Sequence, residues 1–403
     1  MAVAIIATLD TKGVEAGFVR DRLRAAGIDT ILIDAGSLGE PVLTPDIPRA
    51  DVFAAAGSSA ERVRQANDRG NAVTLAALGT TKILTRLHAQ GKIDGVFGLG
   101  GSAGTTIGSA AMRALPYGIP KVMVSTLASG QVGPYVGVRD ILMLHSVTDL
   151  CGLNRFTRRI LANAAAAMAG MVSAKPLATS RDDKLLIAAT MFGVTTPCVT
   201  AARQQVEAAG FEVLVFHATG TGGRTMEAMI ADGLIAGVLD ITTTELADEL
   251  VGGTLTAGCD RLTAAALHNV PQVISVGALD MVNFGPPDTV PQKFEGRRFY
   301  QHNPTVTLMR TTPEENDRLG KEIAEKASAA RGPTAILLPL RGVSAIDQEG
   351  GPFWWPEADQ ALFQSIRNWL GPSVRVIELD LHINDPEFAR VAADALLKMV
   401  DSN

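Results

Sequence analysis

The chain predicts an α/β protein made of two Rossmann-like, doubly wound parallel-sheet domains facing a cleft. Three observations carry that expectation. Short continuous apolar runs recur along the chain, as in strands buried on both faces of a parallel sheet. Each run gives way to a turn rich in glycine, proline or hydroxyls and then to a helical segment, the alternation of βαβ units. The alternation also begins twice, and Pro-Lys-Val-Met-Val-Ser at 120–125 is echoed by Pro-Gln-Val-Ile-Ser-Val at 271–276. A polar, proline-bearing stretch at 173–183 breaks the periodicity between the halves, so the expected domains are 1–178 and 179–403.

Taken in order, 3–9 reads as the first strand, stopping at Asp10-Thr11-Lys12-Gly13, with a helix to about Ala26 and a second strand at 30–33. Residues 36–60 hold Pro41, Pro45, Pro48 and Gly57 and read as a loop crossing, before one long helix to about Gln90. Val96, Phe97 and Leu99 mark the next strand, and Gly100-Gly101-Ser102 turns it into a helix. A strand at 121–126 opens into Leu127-Ala-Ser-Gly130; 140–148 is extended and 153–171 is an alanine-rich helix. In the second half, strands are expected at 184–191, 212–216, 237–241, 272–276, 335–338 and 374–379, with helices between them. Residues 284–303 read as a long loop carrying Arg297, Arg298, Tyr300 and His302, and 305–310 as extended.

Composition narrows the function. Hydrophobic residues make up 47% of 403 and charged ones 19%, a globular composition with length for two or three real cores. A net charge of −6 argues against a nucleic-acid protein held by a broad basic face. The small-apolar run at 164–172 is too short to span a bilayer, so no membrane partner is expected. The N-terminus lacks a basic n-region and reads as a strand rather than a signal peptide. Cys151, Cys198 and Cys259 are widely spaced with no C-x-x-C, which suits a reducing cytoplasm and small buried side chains.

Ligands of doubly wound sheets bind outside the carboxyl ends of the strands, and the chemistry here collects at such ends. At the first glycine turn, Gly100, Gly101 and Gly104 let the backbone approach a ligand, and Ser102, Thr105 and Thr106 supply hydroxyls. The helix that follows adds free N–H groups and its dipole, which together suit an anion. No Asp or Glu lies between Asp94 and Asp140, whereas Arg113, Lys121 and Arg139 do. With Asp10, Thr11, Lys12, Ser125, Thr126 and Gly130 at neighbouring strand ends, these residues form an expected anion site, for a phosphate or a carboxylate. Gly98-x-Gly100-x-x-Ala103 lacks the acid that would follow a dinucleotide fingerprint, and no P-loop is present.

A second glycine turn, Thr219-Gly220-Thr221-Gly222-Gly223-Arg224, is the expected site of a small organic acid, with Arg224 holding its carboxylate. Asp240 and Glu245 are placed as general base or Mg²⁺ ligands, Asp248 beside Glu245 on one helix face, and His217 as a catalytic group at the cleft. Each motif also has a structural reading: close strand–helix packing for the glycines and helix capping for the acids. No Cys/His cluster with zinc spacing and no G-x-S-x-G elbow occurs.

Asp10-Thr-Lys-Gly13, Gly100-Gly-Ser-Ala-Gly-Thr105, Pro134-Tyr-Val-Gly137, Asp149-Leu-Cys-Gly-Leu-Asn154, Asp240-Ile-Thr-Thr-Thr-Glu245, His302-Asn303 and Thr307-Leu-Met-Arg-Thr311 together resemble one family. It is that of the N-terminal ATP-binding domain of the tomato tobamovirus-resistance protein, and the likeness covers nearly the whole chain. The resemblance implies two α/β subdomains, a nucleotide site built mainly from the first, and homodimers, so that ATP, with Mg²⁺ as its candidate companion, becomes the expected ligand of the anion site at Gly100–Thr106. Ala103 departs from it, standing where glycine is expected. Three readings follow: an ATP-dependent enzyme of small-acid metabolism, a nucleotide-independent hydrolase or lyase of a small carboxylate, and a regulatory module without turnover.

Overall fold

A computed structural model, described here for residues 1–174 and 184–402, divides the chain into two compact units, Met1–Ala178 and Thr179–Asn403. The stretch at 173–183 read above as the boundary lies almost wholly outside the described residues.

In the first unit β1 (Ala2–Ala7), β2 (Asp29–Asp34), β3 (Gly95–Gly100), β4 (Lys121–Ser125) and β5 (Leu142–His145) form one sheet in the order β2-β1-β3-β4-β5. Every pairing is parallel. Alternation of side chains along β1 explains its unbroken apolar run. Val3 and Ile5 pack with Val19, Leu23, Leu161 and Met168 on one face, while Ala4 and Ile6 meet Ile83, Leu84, Ile107 and Met112 on the other. The alanine-rich helix Arg155–Ser173 is capped at Asn154 and buries Leu161, Ala164, Ala165 and Met168 in this core.

Two local readings are revised. The helix Leu9–Ala25 starts directly after β1, so Asp10, Thr11 and Lys12 lie in its first turn, and only Lys12 departs from helical geometry. The crossing at 36–60 contains the helix Arg49–Ala55, and the expected long helix is divided into Ala60–Ala66 and Arg69–Ala89. Left-handed Asn67 ends the former, and the Asp68 carboxylate caps the latter by accepting from the Asn71 N–H.

In the second unit the strands are β6 (Leu186–Met191), β7 (Glu212–His217), β8 (Gly237–Thr242), β9 (Gln272–Gly277), β10 (Met281–Phe284), β11 (Phe299–Asn303), β12 (Val306–Arg310), β13 (Thr334–Pro339) and β14 (Arg375–Leu379). Six of them form a parallel sheet, β14-β13-β9-β8-β6-β7, with helices on both faces. The echo between 120–125 and 271–276 is topological: β4 and β9 hold the same place in β2-β1-β3-β4 and β7-β6-β8-β9. In both sheets the strand order reverses beside the first strand, at β1/β3 and at β6/β8, where such folds place their ligands.

β10, β12 and β11 form a separate antiparallel sheet, so the expected loop at 284–303 contains a strand that carries His302. Its side chains are mostly exposed, which removes the apolar signal by which the other strands are recognised. The cysteines also differ from expectation. Only Cys198 is buried, which pushes its thiol up to about 12, while Cys151 and Cys259 are exposed.

Candidate functional site

At the first glycine turn the chain passes from β3 through Gly101 into the helix Ser102–Arg113. Gly101 is the N-cap and brings no side chain, and the first turn of that helix holds no acid. Its opening N–H groups have no intrahelical acceptor and face the carboxyl end of the sheet. The close approach is forced: a Cβ on Gly104 would lie 2.9 Å from the Leu99 carbonyl oxygen.

The structure divides the residues read as a nucleotide site into two sets. Ser102 and Thr106 are exposed, Lys12 and Thr126 half-buried, and the Thr126 N–H donates to the Gly100 carbonyl across the turn. Thr11 is exposed and shares a hydrogen bond of 2.7 Å with Thr8, while Gly130 closes its own turn on Leu127. The others brace the turn. Thr105 and Ser125 share a buried hydrogen bond of 2.7 Å, and Ser125 Oγ also accepts from the Leu127 N–H. Asp10 lines the recess beside the turn, but its carboxylate is engaged: Oδ2 accepts from the N–H groups of Leu38 and Gly39 and lies 3.7 Å from Arg49 Nη1. Arg49 in turn donates from Nε to Asp34 Oδ2 at 2.7 Å. Neither Arg49 nor Asp34 was singled out from the sequence.

The bases counted toward this turn do not reach it. Lys121 opens β4, at the amino end of the sheet, and is buried against Asp140 at 2.7 Å. Arg113 ends its helix and donates to the Tyr135 carbonyl, and Arg139 covers the Tyr117 ring at 4.5 Å. The base that does arrive is Arg69. It lines a recess of about 90 Å³ with Thr8, Thr11, Ser37, Ala103 and Ile107, across the β1/β3 switch point. An adjoining recess of about 260 Å³ shares Ser37, Leu38, Arg69 and Ala72 and adds Arg64.

The second glycine turn is filled from within the chain. Glu245 Oε1 accepts from the N–H groups of Gly220 at 2.7 Å and Gly223 at 3.0 Å, and Oε2 accepts from Arg261 Nε at 2.7 Å. A Cβ on Gly223 would collide with that carboxylate. Arg261 is fully buried and forks onto Asp240, from Nη1 to Oδ2 at 2.5 Å and from Nη2 to Oδ1 at 2.6 Å. It also reaches Glu227 at 3.3 Å. Asp240 lies inside β8, where Thr190 Oγ1 donates to it. Burial alone would lower the Arg261 guanidinium, but Asp240, Glu245 and Glu227 outweigh it and hold it charged.

This arrangement corrects the expectation that the turn takes a substrate acid. Its anion is Glu245, so Glu245 and Asp240 are ion-pair partners rather than a free base or metal ligands. Among the described residues no group of three or more His, Cys, Asp or Glu is arranged to hold a metal ion. Thr219 and Thr221 are exposed, Gly222 sits in the first turn of the helix Thr221–Ala231, and Arg224 Nε donates back to the Gly220 carbonyl. His217 is exposed at the end of β7, with β6 between its strand and that of Asp240, ~10 Å away by sheet spacing. The sequence offered one signal for Arg261: three acids in apolar surroundings need a cation from elsewhere.

Asp248 is also buried, and burial pushes its carboxyl up to about 7 although Asn283 Nδ2 donates to Oδ2 at 2.7 Å. A carboxyl raised in the folded state keeps a proton there that the unfolded chain has released. Stability therefore falls as pH rises from about 4 to about 7, by about 1.4 kcal/mol per unit at most, and is level above. Asp248→Asn is expected to remove this slope and gain about 3 kcal/mol over the parent at pH 8, with little difference near pH 4. Turning over the Asn283 amide, whose Oδ1 has no partner, accommodates the new NH₂. Urea unfolding at pH 5 and pH 8 checks it; equal slopes in both proteins would refute it.

Two parallel sheets whose strand orders each reverse beside their first strand define a two-domain Rossmann-like α/β protein. The chain belongs to the Uncharacterised protein family UPF0261, whose N-terminal domain matches residues 1–176 and whose C-terminal domain matches 184–400. A UPF0261 protein of Clostridium tetani is 51% identical over 99% of both chains, and one of Rhizobium meliloti 50% over 98% of both. The ToMV resistance protein Tm-1(GCR237) of Solanum lycopersicum is 45% identical over 83% of this chain, which spans 45% of that protein. The homologous ToMV susceptible protein tm-1(GCR26) is 44% identical over 88% of this chain and 48% of its own length. Among solved structures, UDP-N-acetylglucosamine 2-epimerase from Rickettsia bellii matches all of this chain and 96% of its own, at 11% identity and a TM-score of 0.23. No helix among the described residues is long and apolar enough to cross a membrane.

Proposed function

We propose that this is a nucleotide-binding protein whose first unit takes ATP at the carboxyl ends of β1 and β3. The observation that supports it is the uncapped, acid-free N-terminus of the helix Ser102–Arg113, opening at the switch point beside the Arg69-lined recess. The small recess suits phosphate against backbone N–H groups, and its larger neighbour suits the base and ribose. Lys12 and Thr126 stand at the strand ends on either side. Any Mg²⁺ arrives with the nucleotide, held by phosphate oxygens and water. In the second unit Asp240 and Glu245 keep Arg261 company, so the acid-site role expected of that turn is not proposed.

The test is calorimetric titration of ATP into the parent and Gly101→Asp. A Cβ at Gly101 meets only Thr126 Oγ1, at 3.7 Å, and φ is −80°, so the side chain fits without strain. Aspartate is a favoured N-cap and will itself take the free N–H groups. The variant is expected to melt at or above the parent's temperature and to bind ATP about a hundredfold more weakly, through competition and like-charge repulsion. Unchanged ATP affinity in the variant, or none in the parent, would refute the site. Gly104→Asp is the poorer test, because its Cβ would press on the Leu99 carbonyl.

A further inference from the structure

One face of the antiparallel sheet of the second unit joins the core of β9 and β13 through Val282, Phe284 and Met309, and beyond them carries Thr307, Gln301 and Phe299. Phe284, Thr307 and Gln301 stand opposite one another across β10, β12 and β11, and Phe299 lies two residues from Gln301 on the same face. The segment 285–298 folds over this face and leaves an open cavity of about 580 Å³, within the range of small-molecule sites. Phe299, Gln301 and Thr307 make its floor; Val290, Phe294 and Glu295 stand along its wall. Phe294 is fixed by Phe284, ring to ring at 5.3 Å.

One polar atom in this apolar space is unexplained. Thr307 is 4% exposed, and its Oγ1 is buried with no hydrogen-bond partner. A buried hydroxyl without a partner costs about 1–3 kcal/mol, which a ligand atom would relieve. The charges select against an anion. Glu295 is the charged residue of the lining, whereas the cations of the segment stand outside it: Lys293 over the Phe294 ring at 4.7 Å, Arg298 over the Trp355 ring at 5.2 Å and Arg297 on Glu315 at 2.7 Å.

We propose that the space between this sheet face and the segment 285–298 binds an uncharged, ring-bearing small molecule whose polar group pairs with the Thr307 hydroxyl. The ring lies between Phe299 and Phe294, and a carbonyl or carboxamide edge meets Thr307 and Gln301. The site is separate from the nucleotide site proposed in the first unit and does not depend on it.

Benzamide is the probe, with benzoate as its charged isostere, read by saturation-transfer NMR titration and thermal melting of the full chain. Benzamide is expected to bind at millimolar concentration or below, benzoate at least tenfold more weakly, and added ATP should not displace it. Thr307→Val removes only the hydroxyl and should weaken benzamide about tenfold without lowering the melting temperature. Val290→Trp fills the cavity from the half-buried wall and should abolish binding. No saturation transfer to benzamide with the parent, equal binding of benzoate, or undiminished binding in both variants would overturn the proposal.

Discussion

Arg261→Met is expected to unfold the second unit at neutral pH. The side chain is fully buried and carries a single positive charge among Asp240, Glu245 and Glu227. Methionine fills much of the volume but leaves Asp240 and Glu245, both within about 1% of full burial, without a counter-charge. Removing one partner of a buried pair costs about 3–5 kcal/mol, and here one guanidinium serves three carboxylates. A domain's whole stability is of order 5–15 kcal/mol, so little or none would remain. Arg261→Lys should rescue poorly, because a single ammonium cannot fork onto Asp240 while reaching Glu245. Circular dichroism and urea unfolding decide the matter; a variant within about 1 kcal/mol of the parent would refute the structural role given to Arg261.

The inner parallel strands, β1, β3, β4, β8 and β9, were legible because both of their faces are buried, which leaves a largely apolar run in the sequence. Helix and strand alternation then followed from chain length and turn chemistry. β11 was not legible, since Phe-Tyr-Gln-His-Asn is mostly exposed and pairs only with β12. The helix Arg49–Ala55 was hidden among the surrounding prolines, yet it brings Arg49 onto Asp10 and Asp34. Local chemistry could be read at both glycine turns, but not which anion each would meet. Glu245 comes 22 residues after Gly223, and Arg261 another 16 beyond, so their meeting is a property of the sheet rather than of any window. Counting charge along the chain misled in the same way. Lys121 lies within twenty or so residues of Gly101 yet opens β4 at the other end of the sheet, whereas Arg69, thirty-odd residues before the turn, lines the recess beside it.

Glu245→Ala is expected to lose about 4 kcal/mol and to regain part of it when formate is added. The loss has two sources: the N–H groups of Gly220 and Gly223 are left buried without an acceptor, at about 1–3 kcal/mol each, and a cavity replaces the carboxylate. Arg261 still faces Asp240 and Glu227, so its charge stays balanced and the fold should survive, unlike that of Arg261→Met. The vacated turn then presents what the sequence suggested, N–H groups at a helix N-terminus with a guanidinium opposite, which is a site for a small carboxylate. Formate should therefore raise the variant's melting temperature with concentration, following RT ln(1 + [L]/Kd), while chloride at equal ionic strength should not. Glu245→Gln keeps an acceptor for the glycines but turns an NH₂ toward Arg261 Nε, so it should be destabilised without responding to formate. If formate stabilises the parent as much as Glu245→Ala, or if that variant melts like the parent, then Glu245 is not the anion that the second turn holds.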